Sequence, residues 1–434
     1  MNTVYQKSIP IHGEYDVVVC GGGPAGIGAA IAAAEHGAKT VLIERLGFLG
    51  GMATAGLVNP MSEFAYNNKR VIGGIAWRFA KELEAVGGAI IEEPRCNISF
   101  NPEIYKLVAQ RMVLNAGVKL LTNTVIADCS VNNKKVTELF VVGKNGIEAI
   151  KGKYFIDATG DACLAAFAGM EMLPTTRPMQ PGTLCFAMAN VDTSTERMHI
   201  IHQKTQGINH QAVFIREPLL KLREQGVNVP KFGGPWLCTT LKEGVITLNL
   251  TRAAMDAADA ESYNNAERQM LEDVFTLAAL LKEHVDEFKN AYVSSIATIT
   301  GARQSRRIKG VHTVTADEYA SGCKYTDSIA RACHAIDIHL PGDEGQILKY
   351  PKDAGYIPFR CMINEAFDNL MVAGRAVSAD EDAFAALRVQ APCMEMGQAA
   401  GIAGSICLKN GGISVHALNT DELVKKVRLE GSFV

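Results

Sequence analysis

The chain has 434 residues, a formal net charge of −3 and a hydrophobic content of 48%. This length allows two or three domains with a sizeable apolar core. The near-neutral charge, without a dense Lys/Arg block, argues against a nucleic-acid partner. The 11 cysteines form no C-x-x-C motif, no Cys/His cluster suggests a metal, and neither an export signal nor a run of about 18 apolar residues occurs. We therefore expect a cytoplasmic protein with reduced thiols, no metal and no membrane contact.

The first recognisable unit is a strand, a glycine-rich turn and a helix. Residues 15–20 are apolar and β-branched, as a buried parallel strand is. Gly21, Gly23 and Gly26 follow in G-x-G-x-x-G spacing, which permits a tight turn, close approach of the backbone to a pyrophosphate, and close packing of the helix on the strand. The helix after Pro24 presents free N–H groups and its positive dipole end to phosphates.

A second strand, residues 39–43, ends at Glu44, about 20 residues beyond the first glycine, where an acid accepts from ribose hydroxyls. The order of these elements predicts a dinucleotide-binding unit, and an ordinary βαβ turn is the alternative. The small residues within 50–56 predict backbone that runs beside an extended ligand, with a flexible surface loop as the alternative.

Two helices and a strand come next. Apolar spacing predicts a helix over residues 73–87, and a second over 102–116 with Asn101 as its N-cap. Residues 118–121 predict a strand that extends the parallel sheet.

Three β-prone runs between residues 125 and 156 predict an antiparallel meander. The last run ends in the sequence DATGD, residues 157–161, which places small residues and an acid at the carboxyl edge of the sheet, where ligands bind in open α/β folds. Alternatively, Asp161 caps a helix.

The nucleotide-type pattern is absent from the middle of the chain. Residues 244–252 predict a strand and residues 262–290 a helix. We therefore predict an inserted domain over 166–350, which separates the two parts of the nucleotide-binding domain, 1–165 and 351–434.

Chemically active side chains concentrate near the end of this middle section. Arg303 and Arg306 lie in GARQSRRIKG, and His334, Asp337 and His339 lie in RACHAIDIH. Guanidinium groups suit carboxylates or oxyanions, and imidazole titrates near neutral pH. The alternatives are a solvated basic turn and structural histidines.

The C-terminal part returns to small residues. Residues 369–374 predict a strand that ends in Gly374 and Arg375, and Pro392 is predicted to open a helix. Gly397 and the glycines that follow it would let this helix press against the sheet and a ligand.

The motifs DVVVCGGGPAGIGAAIAAAEHG, LIE, GGMATAG, IDATGDA and NLMVAGRAVSADEDAFAALRVQAPCMEMGQAAGIAG resemble FAD-dependent oxidoreductases of the glutathione-reductase-like superfamily, near fumarate reductase-type flavoproteins. GARQSRRIKG, IDIH and IPFR extend the resemblance, which is weak from residue 173 to 293. It implies an α/β fold: a Rossmann-like FAD-binding domain with a parallel sheet and an antiparallel β-meander, plus an inserted α+β substrate domain.

The resemblance also implies which residues line the FAD. They are Gly21, Gly23, Pro24, Ala25, Gly26, Glu44, Arg45, Gly50, Gly51, Met52, Thr54, Val125, Thr159, Gly160, Asp161, Gly374, Arg375, Gly397, Gln398, Ala399 and Ala400. The loop after Glu44 lacks the histidine through which some relatives attach FAD, so we expect a non-covalent cofactor. Neither a redox C-x-x-x-x-C nor a second G-x-G-x-x-G is present as a clean match, so disulfide-reductase chemistry is not expected.

We therefore predict an FAD-dependent oxidoreductase that exchanges a hydride between flavin N5 and a small organic substrate, an organic acid or a sugar. The candidate proton carriers are His339 and His334, with Asp337 to orient a histidine, and the candidate clamps are Arg303, Arg306 and Arg360. The electron acceptor and the oligomeric state, a homo-oligomer included, stay open. The alternatives are a non-redox flavoprotein and a thiazole-synthase-like or tRNA-modifying relative of the same fold.

Overall fold

The computed structural model describes residues 3–4, 6–198, 212–239, 241–341 and 345–434. The strands in chain order are β1 Ile11–Cys20, β2 Thr40–Ile43, β3 Ala65–Tyr66, β4 Lys69–Arg70, β5 Ala89–Glu92, β6 Asn97–Phe100, β7 Lys119–Leu121, β8 Val125–Asn132, β9 Lys135–Gly143, β10 Gly146–Asp157, β11 Phe186–Ala189, β12 Phe232–Thr239, β13 Ile246–Thr251, β14 Tyr292–Ile296, β15 Ser328–Ala332, β16 Ile336–His339, β17 Gln346–Lys349, β18 Gly355–Pro358 and β19 Leu370–Val372.

The α-helices that lie wholly within the described residues are α1 Pro24–Glu35, α2 Gly74–Ala85, α3 Pro102–Asn115, α4 Cys163–Phe167, α5 Val213–Glu224, α6 Ala260–His284, α7 Ala316–Ser321, α8 Phe384–Leu387, α9 Gln390–Lys409 and α10 Thr420–Leu429. Within the same residues, no helix combines the length and the apolarity needed to cross a membrane.

A seven-stranded sheet carries the glycine-rich turn at its centre. Its order is β7-β2-β1-β10-β9-β8, and β19 pairs with β10 as well. Strands β7, β2, β1, β10 and β19 run parallel to one another, and β2 and the end of β1 are buried, as expected where helices cover both faces of a sheet.

Strand β10 belongs to both parts of this sheet. Its first half pairs antiparallel with β9, and its last three residues pair parallel with β19. The predicted α/β fold with a parallel sheet and an antiparallel meander is therefore confirmed. The pairing also places the end of β10, with the residues after it, beside the C-terminal strand.

Helix α1 packs on helix α9 so closely that their backbones are in contact at glycine residues. A Cβ at Gly28 would lie 2.3 Å from the carbonyl oxygen of Met394, and one at Gly401 would lie 2.3 Å from that of Ala29. Since neither backbone can move away, glycine is required at both contacts. This contact fixes the C-terminal helix over the N-terminal turn.

A second sheet forms the middle of the chain. Its order is β12-β13-β11-β14, all antiparallel, and helices α5 and α6 pack on it in a hydrophobic cluster that extends from Leu184 to Ala302. Residues from Val314 onward belong to the core of the first sheet. The hydrophobic cluster thus covers fewer residues than the domain predicted over 166–350, and the boundaries of that domain stay a prediction.

Two helix ends differ from those expected. Helix α9 begins at Gln390 rather than at Pro392, which is its third residue. The first turn of a helix has no internal partners for its N–H groups, so proline is tolerated there. Helix α6 ends at His284 rather than near residue 290, because Val285 is extended and a 3₁₀ turn, Asp286–Phe288, follows.

Glu395 is a buried carboxyl group within α9. It accepts hydrogen bonds from the backbone N–H groups of Gly73 and Arg331, both at 3.0 Å. Burial is the largest influence on this group and outweighs these donors, so its pKa rises to about 7. This carboxyl therefore binds a proton more tightly in the folded chain than in the unfolded one.

Replacement of Gly401 by alanine tests the helix contact. We expect G401A to lower the free energy of unfolding by about 2–3 kcal/mol through overpacking. The matched control is G404A, because a Cβ there would meet Val17 at an ordinary 3.4 Å and should change stability by less than about 1 kcal/mol. Urea unfolding at pH 7 measures both, and equal stabilities would contradict the close approach.

The pKa of Glu395 predicts a pH-dependent stability. Between pH 4.5 and 7 the unfolded chain releases this proton while the folded chain keeps it, so the free energy of unfolding falls as the pH rises through this range. We expect the difference in unfolding free energy between wild type and E395Q to fall by about 2–3 kcal/mol between pH 5 and pH 7.5. Urea unfolding at the two pH values measures it, and a constant difference would show that Glu395 titrates normally.

Candidate functional site

The three glycines of the G-x-G-x-x-G motif serve two different purposes. Gly21 has φ +100°, and a Cβ there would lie 2.5 Å from the carbonyl oxygen of Ala158. A Cβ at Gly26 would lie 1.7 Å from the carbonyl oxygen of Gly21. These two glycines are therefore required by the fold itself.

Gly23 is the N-cap of α1 and faces open space. Its nearest neighbour to a Cβ would be the Cα of Gly51 at 3.9 Å, and no described side chain caps the helix. Pro24 opens α1, Ala25 and Gly26 follow it, and all three lie in the first turn, where N–H groups have no partner within the helix. The N-terminus of α1 can therefore accept a phosphate group.

Glu44 ties the end of β2 to the glycine turn. Its carboxylate accepts from the N–H of Gly22 at 2.6 Å and from that of Leu46 at 2.8 Å. Burial raises its pKa despite these donors, whereas the neighbouring Arg45 is exposed. Its contact with a ribose stays a prediction, but the carboxylate lies beside the same turn as Gly23.

The small-residue loop after β2 folds back onto the turn. Gly50 has φ +115°, and Gly51 and Met52 begin a 3₁₀ helix, Gly51–Ala53. Thr54 donates from its hydroxyl to the carbonyl of Leu49 at 2.8 Å. A Cβ on Gly51 would lie 2.9 Å from the Cα of Gly23, so the loop and the turn form one continuous glycine-lined surface.

The strand end after β10 is held by two acids. Asp157 accepts from the backbone and hydroxyl of Thr159 and from the N–H of Ala165. Thr159 in turn accepts from the N–H of Cys163, the first residue of α4. The N-cap of α4 is Ala162, so Asp161 does not cap this helix, and that alternative is wrong.

Asp161 pairs instead with Arg375, which follows β19. The same guanidinium donates from Nε to the carbonyl of Gly160 at 2.8 Å. Two predicted cofactor segments, 214 positions apart in the chain, are therefore joined by this ion pair.

The C-terminal residues predicted at the cofactor have close packing contacts of their own. Gly374 has φ +94° and lies against Ala25, and a Cβ at Gly397 would lie 1.9 Å from the carbonyl oxygen of Ala25. Gln398 accepts from the N–H of Ile75 at 2.7 Å. Their contact with FAD stays a prediction, as does that of three others: the buried residues Ala399 and Ala400, and Val125, which is half exposed at the start of β8.

Strand β16 carries a buried acid–imidazole pair. His339 Nε2 lies 3.2 Å from an oxygen of Asp337, and the side chain of Gln346 donates to the other oxygen. Burial, followed by the charge of Arg303, lowers the pKa of His339 well below its ordinary value. Burial would raise the pKa of Asp337, but the bond to His339 and the charges of His339 and Arg388 outweigh it and hold the pKa well below the ordinary range.

Arg388 joins this pair to the C-terminal segment. Its guanidinium donates to the backbone carbonyls of Asp337 at 2.9 Å and Arg303 at 3.1 Å, and to the side chain of Gln180 at 3.3 Å. The same oxygen of Gln180 accepts from the N–H of His339 at 3.0 Å. The sequence analysis did not single out three of these residues: Gln180, Gln346 and Arg388. Of the three, Arg388 was the easiest to predict, since it lies two residues before α9.

The arginines predicted as clamps separate in the structure. Arg303 lies in the cluster with His339, whereas Arg306 donates to the carbonyls of Asp161 and Ala258 at 3.3 Å. Arg360 forms two hydrogen bonds to Asp327, which commits its guanidinium to an ion pair. Arg252, at the end of β13, joins Arg303 on the hydroxyl of Thr183 and was missed because it follows an unremarkable strand.

His334 is the other predicted proton carrier. Its Nδ1 lies 2.8 Å from the carbonyl oxygen of Ala335, and its charge contributes to the low pKa of Asp337. Among the described residues, no group of three His, Cys, Asp or Glu side chains could hold a metal ion.

A family model for FAD dependent oxidoreductases matches residues 16–427. The chain belongs to this family. FAD is accordingly its cofactor, and the open N-terminus of α1, the glycine-lined surface of Gly23 and Gly51, and the acid after β2 fit an FAD pyrophosphate and ribose.

The curated relatives match only parts of the chain. Thiamine thiazole synthase of Aeropyrum pernix is 29% identical over 36% of this chain and 58% of its own length. Digeranylgeranylglycerophospholipid reductase 2 of Methanopyrus kandleri is 28% identical over 43% of this chain and 48% of its own. The chain thus spans about half the length of the curated relatives it matches.

A solved structure is similar over most of its length. It is a geranylgeranyl bacteriochlorophyll reductase-like protein from Thermoplasma acidophilum, with a TM-score of 0.47 and 15% identity over 96% of this chain and 91% of that one.

Gly23 provides the sharpest test of the cofactor site. Its φ of −73° suits any residue, and its Cβ would meet open space. We expect G23A to fold with wild-type stability but to bind FAD at least about tenfold more weakly, roughly 1.4 kcal/mol, because the methyl group occupies the space of the pyrophosphate. Titration of the apoprotein with FAD, followed by flavin fluorescence, measures this.

The matched control is G21A, in which the methyl group meets backbone and the positive φ is strained. This variant should lose stability rather than affinity alone. Wild-type FAD affinity in a folded G23A would place the pyrophosphate elsewhere.

Proposed function

We propose that this protein transfers a hydride between a carbon of a small organic substrate, an organic acid or a sugar, and N5 of bound FAD, while His339 moves the matching proton. FAD supplies the two-electron chemistry at its flavin ring. The observation that carries the proposal is the buried pair of His339 and Asp337, which Arg388 joins to the segment leading into α9.

The state of the imidazole follows from its surroundings. The low pKa of His339 keeps the ring neutral near pH 7. Asp337, which is ionised, can only accept, so Nε2 of His339 carries the hydrogen directed at it. Nδ1 then has a free lone pair and can accept the hydroxyl proton of a substrate that is being oxidised. In the reverse direction the same atom would return that proton.

The chain just before Arg303 lies against the Met52 loop, which we assign to the cofactor. Gly301, two residues before Arg303, would meet Met52 Sδ at 3.9 Å with a Cβ, and its backbone pairs with that of Thr183. Arg375, which holds Asp161, also donates to the carbonyl of Ala302. Residues 301–303 thus link the Met52 loop to the arginine beside His339, which supports a substrate position between that loop and His339.

Chemistry at a cysteine has less support. Burial raises the pKa of both Cys163 and Cys185 to about 11, so each stays protonated near pH 7. A thiazole-synthase-like activity would require an active donor cysteine. The raised thiol pKa values therefore support redox chemistry on an organic substrate over this alternative.

Replacement of His339 by glutamine tests the proton carrier. We expect H339Q to retain FAD but to reduce it about 100-fold or more slowly, since general acid–base groups contribute at least that much. The measurement is anaerobic stopped-flow bleaching of the flavin, with the substrate found by a prior screen of organic acids and sugars.

H284Q is the control, because His284 lies at the far end of α6 and is partly exposed. An unchanged rate in H339Q would remove this residue from the mechanism, and an equal loss in H334Q alone would transfer the role to His334. A flavin that none of the acids or sugars reduces would contradict the proposed function itself.

A further inference from the structure

Positive charge is in surplus beside His339. Three arginines here are buried or nearly so: Arg252, Arg303 and Arg388. Among the described residues, Asp337 is the carboxylate whose negative charge stabilises all three. Within the part of the chain that the structure describes, three guanidinium groups against one carboxylate leave two positive charges uncompensated. Buried charges are costly unless they are paired, so this surplus requires an explanation.

Arg252 is the most deeply placed of the three. Its Nη1 donates to the hydroxyl of Thr183, the side chain of Asn249 and the carbonyl of Thr251, at 2.6–3.0 Å. Its Nη2 is buried and has no hydrogen-bond partner among the described residues. Gly233 leaves room for the guanidinium, because a Cβ there would lie 2.4 Å from its Nε.

Arg303 lies directly beside Arg252. Both donate to the hydroxyl of Thr183 and to the side chain of Asn249. Burial, followed by the charge of Arg252, lowers the pKa of Arg303 to about 9. Arg303 is less buried than Arg252, and the Arg388 side chain is 11% exposed, so the cluster is not sealed from solvent.

We infer that this cluster binds the carboxylate group of the substrate, with Arg252 and Arg303 as the anion-binding residues and the substrate an organic acid rather than a sugar. The inference rests on the proposed function for the reaction and adds the substrate class. A carboxylate accepts in the plane of a guanidinium and would give Nη2 of Arg252 the acceptor that it lacks.

A neutral polyol would satisfy the free N–H group but not the charge. Its hydroxyl groups can accept hydrogen bonds, yet two buried guanidinium charges would stay uncompensated. A carboxylate offsets one of these two charges, and it also weakens the repulsion that Arg303 and Arg252 exert on a protonated His339. Binding of the acid therefore makes His339 a stronger base at the moment when the proton must be taken up.

The first experiment uses the wild-type holoenzyme and compares acids with their neutral amides. Malonate, succinate, glycolate and lactate are titrated against malonamide, succinamide, glycolamide and lactamide, with flavin difference absorbance and calorimetry as readouts. We expect at least one acid to bind 100-fold or more tightly than its amide. Equal binding of acid and amide across the panel, or no binding by any acid, would overturn the inference.

The second experiment identifies the residues. R252Q and R303Q should each weaken binding of the selected acid tenfold or more while the FAD content is retained, and R252K should recover part of the loss. R78Q is the matched control, since Arg78 pairs with Glu35 on the surface. Wild-type affinity in folded R252Q and R303Q would overturn the assignment; should they not fold, the comparison of acids with amides still decides the substrate class.

A third readout is independent of turnover. In protein labelled with ¹³C-histidine, the selected acid should raise the pKa of His339, identified by its absence in H339Q, and should leave that of the exposed His284 unchanged. An unshifted His339 would contradict an anion placed beside it. An acid that binds in this way without bleaching the flavin would refute the proposed reaction alone, whereas sugars that bleach it while no acid binds would refute this inference alone.

Discussion

The backbone contact between α1 and α9 is the constraint on which the rest of the structure depends. Glycines at 28, 397 and 401 bring the two helices so close that carbonyl oxygens occupy the positions of absent side chains. Because α1 begins at the glycine-rich turn, this contact fixes the C-terminal segment over the same turn. The surface that we predict to hold FAD therefore contains residues from both ends of the chain.

Two arginines connect this surface to the middle of the chain in different ways. Arg375 binds Asp161, Gly160 and Ala302, and so closes the strand ends of the FAD-binding sheet against the start of the arginine-rich segment. Arg388 binds main-chain carbonyls near His339. Both lie between β19 and α9, so the segment that connects these two elements contacts the main chain beside His339 as well as the strand end at Asp161.

The fold was largely predictable because its signals are local. The glycine turn, the Asn101 cap and the three meander strands each follow from residues within a few positions of one another, and the observed bounds agree closely. The cluster beside His339 was only partly predictable. Arg252, Gln180 and Arg388 come from three distant segments, and nothing in a run such as NLTR distinguishes a buried guanidinium from a solvated one. Arg360 shows the converse, since a promising local motif proved to be an ion pair with Asp327.

The double pairing of β10 has a consequence for the order of folding. The first half of β10 pairs with β9, which precedes it by only a few residues, whereas its last residues pair with β19. The adjoining contact between Gly160 and Arg375 joins positions 215 apart. Local hairpins form in microseconds, but closing so long a loop is slow. During synthesis the middle sheet emerges before β19 is available, while the end of β10 has no partner at this edge. The hydrophobic cluster from Leu184 to Ala302 can therefore form before the sheet is completed by β19.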